Sequence, residues 1–365
     1  MKILVTGGAG FIGSSFLSTL VPRHTAHSFV CFDKLTYAGN LLSLAAVQGA
    51  KNFAFERGDI ADPDAVQRLF EAHRPDVVVH FAAESHVDRS IHDPAEFVRT
   101  NVMGTLHLLN ACKAAWKGTG PYRFHHVSTD EVYGSLHSEG EHAFTEDSHY
   151  DPSSPYAASK ASSDHLVRAF HRTFGLPITI TNCSNNYGPR QAPEKLIPLT
   201  MLNALDGREL PVYGTGSNRR DWLYVGDHCE AIWAVLERGV VGQTYNVGGG
   251  DERSNIELVR TMCQLVAEET GRPAESVLGL IRFVEDRPGH DWRYAIDSTK
   301  IHGKLGWAPG VRLAEGLRAT LRWYMQNPAW VESMRSGEHR LWVEKNYDHR
   351  LRQPGGDASD GGTDR

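Results

Sequence analysis

The segment Gly7-Gly8-Ala9-Gly10-Phe11-Ile12-Gly13 constrains this chain more than any other. It follows an apolar run at 2–6 and opens a helical pattern at 11–20. It fits G-x-G-x-x-G through Gly8, Gly10 and Gly13, and G-x-x-G-x-x-G through Gly7, Gly10 and Gly13. Glycines in such a turn let the backbone approach a pyrophosphate, which then sits on the helix N-terminus. Asp33 closes the second apolar run, 20 residues after Gly13. A carboxylate there accepts hydrogen bonds from an adenosine ribose diol and repels a 2′-phosphate. The combination points to NAD rather than NADP. Asp59, in Gly58-Asp59-Ile60, is a further candidate for the adenine edge, with a helix N-cap as its alternative role.

The rest of the first half continues this pattern. Strands are expected at 2–6, 29–32, 53–56, 77–81, 123–128 and 178–182. Several are unbroken Val, Ile and Phe runs, as suits strands covered on both faces. Helices are expected at 11–20, 64–73, 94–116 and 155–174. In the third, Phe97, Asn101, Val102, Thr105, Leu108, Leu109 and Cys112 trace one stripe. Strand and helix in alternation predict an α/β fold, a Rossmann-type doubly wound parallel sheet. After Pro189 segments shorten, and Gly, Pro and Trp become denser. Helices are expected near 195–205, 227–237, 255–269 and 313–325, with strands near Tyr224, Tyr245 and Phe283. The predicted organisation is a NAD-binding domain at 1–188 and a smaller α/β substrate-binding lobe at 189–353, partly interleaved with it. The stretch 354–365 has no apolar residue but one Ala and is expected to be disordered.

Composition excludes several classes. Lys plus Arg is 38 against 44 Asp plus Glu, a net charge of -6, which argues against general affinity for nucleic acid or anionic membrane. No apolar run approaches the roughly 18 residues of a membrane span. The first glycine comes too early for a signal peptide. Five scattered cysteines without a C-x-x-C suggest neither disulfides nor zinc, and fit a reducing cytoplasm. Nineteen histidines occur without H-E-x-x-H or Cys/His ligand spacing, so no metal is expected. His125 and His126 are expected to pack around a strand end. There is no G-x-S-x-G elbow.

Two further patterns carry chemistry. In Tyr156-Ala157-Ala158-Ser159-Lys160 the first and last residues share a helix face. A free phenol titrates near 10, and a neighbouring cation favours phenolate. Tyr156 then becomes a base for an alcohol proton, with Lys160 also available to a nicotinamide ribose. A solvated helix face is the alternative. The other pattern, Thr129-Asp130-Glu131, stands where the fifth strand should end. Strand ends at the carboxyl edge of such a sheet face the ligand crevice. An elimination needs two carboxyls, one to take a carbon-bound proton and one to protonate a departing hydroxyl. Their alternative role is to cap the next turn.

On these residues the chain resembles the dTDP-glucose 4,6-dehydratase family of the extended short-chain dehydrogenase/reductases. The matching stretches are 3–13, 32–40, 80–90, 125–134, 156–160, 182–188, 194–198, 220–225 and 286–291. The Thr-Asp-Glu triplet is the most specific. Related 4-epimerases lack the acidic pair, and GDP-mannose dehydratases resemble a Thr-Ser-Glu version. The segment 214–219 is less typical of the family.

The resemblance implies NAD as cofactor, dTDP-glucose as substrate and a homodimer paired through the 94–116 and 155–174 helices. It implies Tyr156 as the oxidation base with Lys160 as partner, and Thr129 on the sugar 4-hydroxyl. Asp130 would be the acid at the 6-hydroxyl and Glu131 the base at C5. The implied NAD residues are Gly7, Gly10, Phe11, Ile12, Gly13, Asp33, Lys34, Leu35, Thr36, Asp59, Ile60, Phe81, Ala82, Ala83, Ser85, Thr100 and Asn186, with Tyr156 and Lys160. The implied sugar-nucleotide residues are Ser85, Thr129, Asn185, Lys195, Leu196, Pro211, Tyr213, Arg220, Asn255, Arg287 and His290. The cations Lys195, Arg220 and Arg287 suit a diphosphate dianion on an acidic protein.

Overall fold

The computed structural model describes residues 1–138, 140–286 and 289–335. Arg287 and the expected disordered stretch at 354–365 lie outside the described residues. In chain order the strands are β1 (Lys2–Thr6), β2 (Ser28–Asp33), β3 (Phe53–Arg57), β4 (Val77–His80), β5 (Arg123–Thr129), β6 (Ile178–Cys183), β7 (Asn185–Tyr187), β8 (Leu210–Tyr213), β9 (Arg219–Tyr224), β10 (Thr244–Val247), β11 (Glu252–Ser254) and β12 (Ile281–Val284). The helices are α1 (Phe11–Arg23), α2 (Pro63–His73), α3 (Val87–His92), α4 (Pro94–Phe97), α5 (Thr105–Ala115), α6 (Pro155–Phe174), α7 (Leu196–Asp206), α8 (Val225–Arg238), α9 (Asn255–Thr270), α10 (Ala274–Leu278), α11 (Thr299–Leu305), α12 (Leu313–Gln326) and α13 (Pro328–Arg335).

Seven strands form one parallel sheet in the order β10-β6-β5-β4-β1-β2-β3. The unbroken apolar runs now have their reason. Side chains alternate across a strand. Ile3 and Val5 of β1 pack with α1 residues on one face, while Leu4 packs with α2 and α5 residues on the other. Phe29 and Cys31 against Val30 and Phe32 in β2, and Val77 and Val79 against Val78 in β4, divide the same way. Each fully buried side chain of this size contributes about 1.5–3 kcal/mol. The polar strand β5 sits near the centre. His125 and His126 do not pack around its end but lie fully buried within it, bonded to Thr179 and Thr181, and to Ser163.

The sheet's chain order reverses between β1 and β4. A crevice opens there above the carboxyl ends, the usual ligand position in such sheets. The second half returns α8 to the α1 face and β10 to the sheet edge, then builds its own core around α7, α9, α12 and α13. Two small sheets, β11-β9-β7 and β12-β8, complete the second half, and Asn185 and Asn186 of β7 line the crevice.

Two helices set the site. α6 starts at Pro155, after Ser154 accepts the Ala157 N–H at 3.1 Å, and stops at Gly175, whose φ of 69° is left-handed. The helix expected at 94–116 is interrupted. Between α4 and α5 lies a π-helical stretch, Val98–Gly104. Such widened turns shift the register of a helix face. Here Asn101 is turned inward to bond the Glu84 backbone through both amide atoms and Ser159 Oγ at 2.8 Å. A seven-residue hydrophobic stripe does not report that insertion.

Candidate active site

The glycine loop follows β1 directly. Gly7 has φ +70°, and a Cβ there would stand 2.6 Å from the Ala82 nitrogen, so this position admits no side chain. Gly10 differs. A Cβ there would meet only the Gly7 oxygen at 3.3 Å and the Ala38 oxygen at 4.0 Å. The fold itself does not exclude a side chain at Gly10, but the space it faces is the crevice. Gly10 is also the N-cap of α1 and offers no side chain to the first-turn N–H groups. Uncapped first-turn N–H groups facing the crevice fit a pyrophosphate.

Asp33 lies at the end of β2, nearly buried. Its Oδ2 accepts the Ala9 N–H at 2.9 Å and its Oδ1 the Leu35 N–H at 2.8 Å. Burial raises its pKa, and these two bonds oppose the shift. The carboxylate thus ties the glycine loop to β2, and each oxygen retains a lone pair for a ribose hydroxyl. Asp59 does not cap α2; Asp62 does. Asp59 instead pairs with Lys34 at 2.9 Å on the crevice rim, which holds its carboxyl below the usual range despite partial burial. Of the expected NAD residues, all line the crevice except Leu35. Leu35 turns away, with φ 58°, and packs on the α1 side.

The chemical end of the same crevice carries Thr129, Asp130, Glu131, Tyr156 and Lys160. The acidic pair does not cap the turn. Thr129 is the N-cap, accepting the Glu131 N–H at 3.3 Å, and Asp130 and Glu131 begin the single turn Asp130–Tyr133. Asp130 is 2% exposed. Its Oδ1 accepts from the Thr129 hydroxyl at 3.3 Å, while its Oδ2 is buried without a partner. Burial first, then the Glu131 and Asp221 charges, raise its pKa well above the carboxylate range, against the pull of Arg220. The shift favours the protonated carboxyl, and its unpartnered oxygen suits a hydroxyl of a bound ligand.

Tyr156 and Lys160 do not lie on a solvated face; both are buried. The cation-lowered phenol that their spacing suggests is absent from the protein alone. Burial and the Glu131 charge raise the Tyr156 pKa well above 10, and a hydrogen bond with Thr129 opposes them. The Lys160 ammonium donates to the Val127 carbonyl at 2.9 Å, and burial lowers its pKa.

The expected sugar-nucleotide residues divide. Ser85, Thr129, Asn185 and Lys195 line the crevice; Lys195 Nζ donates to the Ser85 carbonyl at 3.0 Å. Leu196, Pro211, Tyr213, Arg220, Asn255 and His290 stand outside its lining. The Arg220 guanidinium donates to the Asp291 carbonyl at 2.8 Å and stacks over Tyr294, 4.3 Å from the ring centroid. Tyr213 lies edge-on to the His290 ring, and His290 pairs with Asp286 at 2.6 Å. Asn185 and Asn255 each bury an amide oxygen without a partner.

The sequence reading missed Tyr37, Cys183, Gln191 and Glu194 in the lining. Tyr37, Gln191 and Glu194 stand on loops whose fold over the crevice the sequence does not report, and Cys183 ends β6. It also missed Asp164, fully buried on the α6 face below Lys160. A polar residue continuing a buried helical stripe was the available signal.

The chain is similar to known proteins over most of its length. The GDP-mannose 4,6 dehydratase family model matches residues 4–320. A dTDP-glucose 4,6-dehydratase of Shigella flexneri is 53% identical over 96% of this chain and 100% of its own length. One from Neisseria meningitidis serogroup B is 54% identical over 93% and 98%. The structure of dTDP-glucose 4,6-dehydratase DesIV from Streptomyces venezuelae, with NAD and TYD bound, superimposes with a TM-score of 0.84 at 47% identity, covering 92% of this chain and 100% of that one. A UDP-glucose 4-epimerase from Thermotoga maritima, with UDP-glucose, gives 0.79 at 31% identity, covering 90% and 100%.

Proposed function

Because the chain belongs to the GDP-mannose 4,6-dehydratase family, and within it to the dTDP-glucose 4,6-dehydratases, we propose that it converts dTDP-glucose to dTDP-4-keto-6-deoxyglucose and water. The observation that carries the reading is the acidic pair in the crevice, Asp130 buried beside Glu131, an arrangement that favours the protonated form of Asp130. NAD, once bound, would supply a reversible hydride acceptor and the positive charge of its oxidised ring. The chain's own residues do the rest. The glycine loop and Asp33 hold the dinucleotide, with Lys160 on its second ribose. Thr129 orients the sugar 4-hydroxyl, and Tyr156 takes that hydroxyl's proton. The ketone at C4 acidifies the C5 hydrogen, which Glu131 removes as a proton. Asp130 gives its proton to the 6-hydroxyl, which departs as water. Glu131 then returns a proton to C5. The burial of Asp130 supports this order, since a neutral carboxyl can donate where a carboxylate cannot.

The same reading carries the assembly and location. The protein works as a homodimer paired through α4, α5 and α6, supported by the exposed apolar Val98 and Met103 of the π-helical stretch between α4 and α5 and Phe174 at the end of α6. It acts in the cytoplasm, supported by five free, buried cysteines. Among the described residues no helix is long and apolar enough to cross a membrane.

Isotopes test the chemistry. dTDP-glucose carrying deuterium at C4, turned over in ordinary water, should yield product with deuterium at C6. Unlabelled substrate in deuterium oxide should gain deuterium at C5. An epimerase would return the label to C4 and leave C5 unexchanged. Label at C4, or its loss to free reduced cofactor, refutes the dehydratase reading.

A further inference from the structure

Behind the crevice wall, α6 continues the face that carries Tyr156 and Lys160. Asp164 stands one turn further on, so the three recur at i, i+4 and i+8. Lys160 and Asp164 are both buried. A cation in such a place tends to lose its proton unless a counter-charge is near.

The groups around this point come from several elements. β5 brings His126, whose Nε2 lies 3.5 Å from Lys160 Nζ and 3.2 Å from Asp164 Oδ1. Burial, with Lys160 adding to it, drives that imidazole down to about 4, so at neutral pH it is uncharged and leaves the Asp164 charge to others. β4 brings His80, kept neutral by burial. The loop before α6 brings Tyr150, whose hydroxyl donates to Asp164 Oδ2 at 2.8 Å. Tyr133 lies on the far side of Tyr150, its phenol neutral through burial and the Asp164 charge. β6 brings Cys183, its thiol pushed up to about 12 by burial. The second cation is Arg168, half-buried, whose guanidinium bonds the Tyr150 hydroxyl at 2.6 Å. Of the carboxylates, Asp164 is the one whose charge favours protonated Lys160.

We propose that Asp164 is the counter-ion that keeps Lys160 protonated, set against it across the edge of the His126 ring, and so is a positioning residue for the Tyr156–Lys160 pair. Its activity readout rests on the dehydratase reading above. The helix fixes the spacing, and the Tyr150 hydroxyl fixes the Asp164 carboxylate through Oδ2 beside the His126 ring, so the charge reaches Lys160 without touching substrate. Without it Lys160 would shed its proton at lower pH, and the phenol would lose the cation that favours its ionised form.

Two measurements test this. In Asp164→Asn the alkaline limb of the kcat profile should move to lower pH by about one unit or more. Asp164→Glu should restore it in part. A loss from packing alone would lower kcat equally at every pH and leave the limb in place. The second measurement needs no turnover. Asp164→Asn and Lys160→Met each strand a buried charge, whereas the double variant strands neither. The double variant should therefore melt higher than the two single losses predict when added. If Asp164→Asn alone melts too low to assay, recovery in the double variant still reports the pairing. An unmoved limb in folded Asp164→Asn, or additive melting losses, overturns the proposal. Wild-type protein that forms no 4-keto-6-deoxy sugar would instead overturn the dehydratase reading, with the melting cycle still judging Asp164.

Discussion

Replacing Asp130 by asparagine tests the general acid without any substrate. In the fold, burial and the Glu131 and Asp221 charges raise this carboxyl's pKa well above its ordinary 3.8. In the unfolded chain it titrates at the ordinary value. Between those two values the folded state holds one proton more than the unfolded state. The stability this group contributes is fully present below the unfolded pKa and is lost as pH rises through the folded one. The slope is about 1.4 kcal/mol per pH unit. From about pH 5 to about pH 7 that makes roughly 3 kcal/mol, provided Asp130 stays protonated throughout. A chain of this length has an unfolding entropy of roughly 0.8 kcal/mol/K, so the change is about 4 °C in melting temperature. An amide at this position does not titrate and lacks the slope. Melting wild type and Asp130→Asn in parallel across this range, and subtracting, isolates the group. The variant should gain on wild type as pH rises. A difference that stays flat would mean that Asp130 is ionised in the fold. An ionised carboxylate cannot protonate a leaving hydroxyl, and the acid assignment would fall.

Two further outcomes follow from the site. Gly10→Ala should cost the fold about 1 kcal/mol, because its Cβ meets one backbone oxygen at 3.3 Å and otherwise faces the crevice, yet the purified protein should no longer retain NAD. Gly7→Ala should unfold the loop, since positive φ and the Ala82 nitrogen both oppose a side chain; equal melting losses for the two variants would contradict the assignment of that space to a ligand. Glu131→Gln should lower kcat by about 10²–10⁴ and accumulate reduced nicotinamide absorbance on adding substrate, because elimination stalls after oxidation. Tyr156→Phe should show no such absorbance, and near-wild-type turnover in either variant would sink the assigned role.

Much of the fold was legible because its signals are local. Apolar strand, glycine turn and helix recur within a few residues of one another, and all six strands expected in the first half occur. The exposed alternative for Tyr156 and Lys160 could be weighed only with the sheet in view, since burial is a property of what packs above a helix. The π-helical stretch at Val98–Gly104 was not legible for a related reason. Its inserted residue is held by Asn101, which bonds Glu84 and Ser159, partners 17 and 58 residues away in the chain. The short strands β7, β8 and β11 were missed because three or four residues give too few alternations to separate from loop.

The electrostatics of the site were the least legible part. From spacing, Lys160 should depress the phenol of Tyr156. In the fold the larger influences on that phenol are desolvation and the Glu131 charge. The same Glu131 charge is what burial enlists to keep Asp130 protonated. One carboxylate thus raises both neighbours, holding the acid ready and the phenol uncharged until a cation enters the crevice. An oxidised nicotinamide ring would be such a cation, and Tyr156 in the crevice lining would then shift in the direction its role as a base requires. Sequence spacing names the residues that meet, but the sign of each pKa shift depends on how much water the fold removes around them.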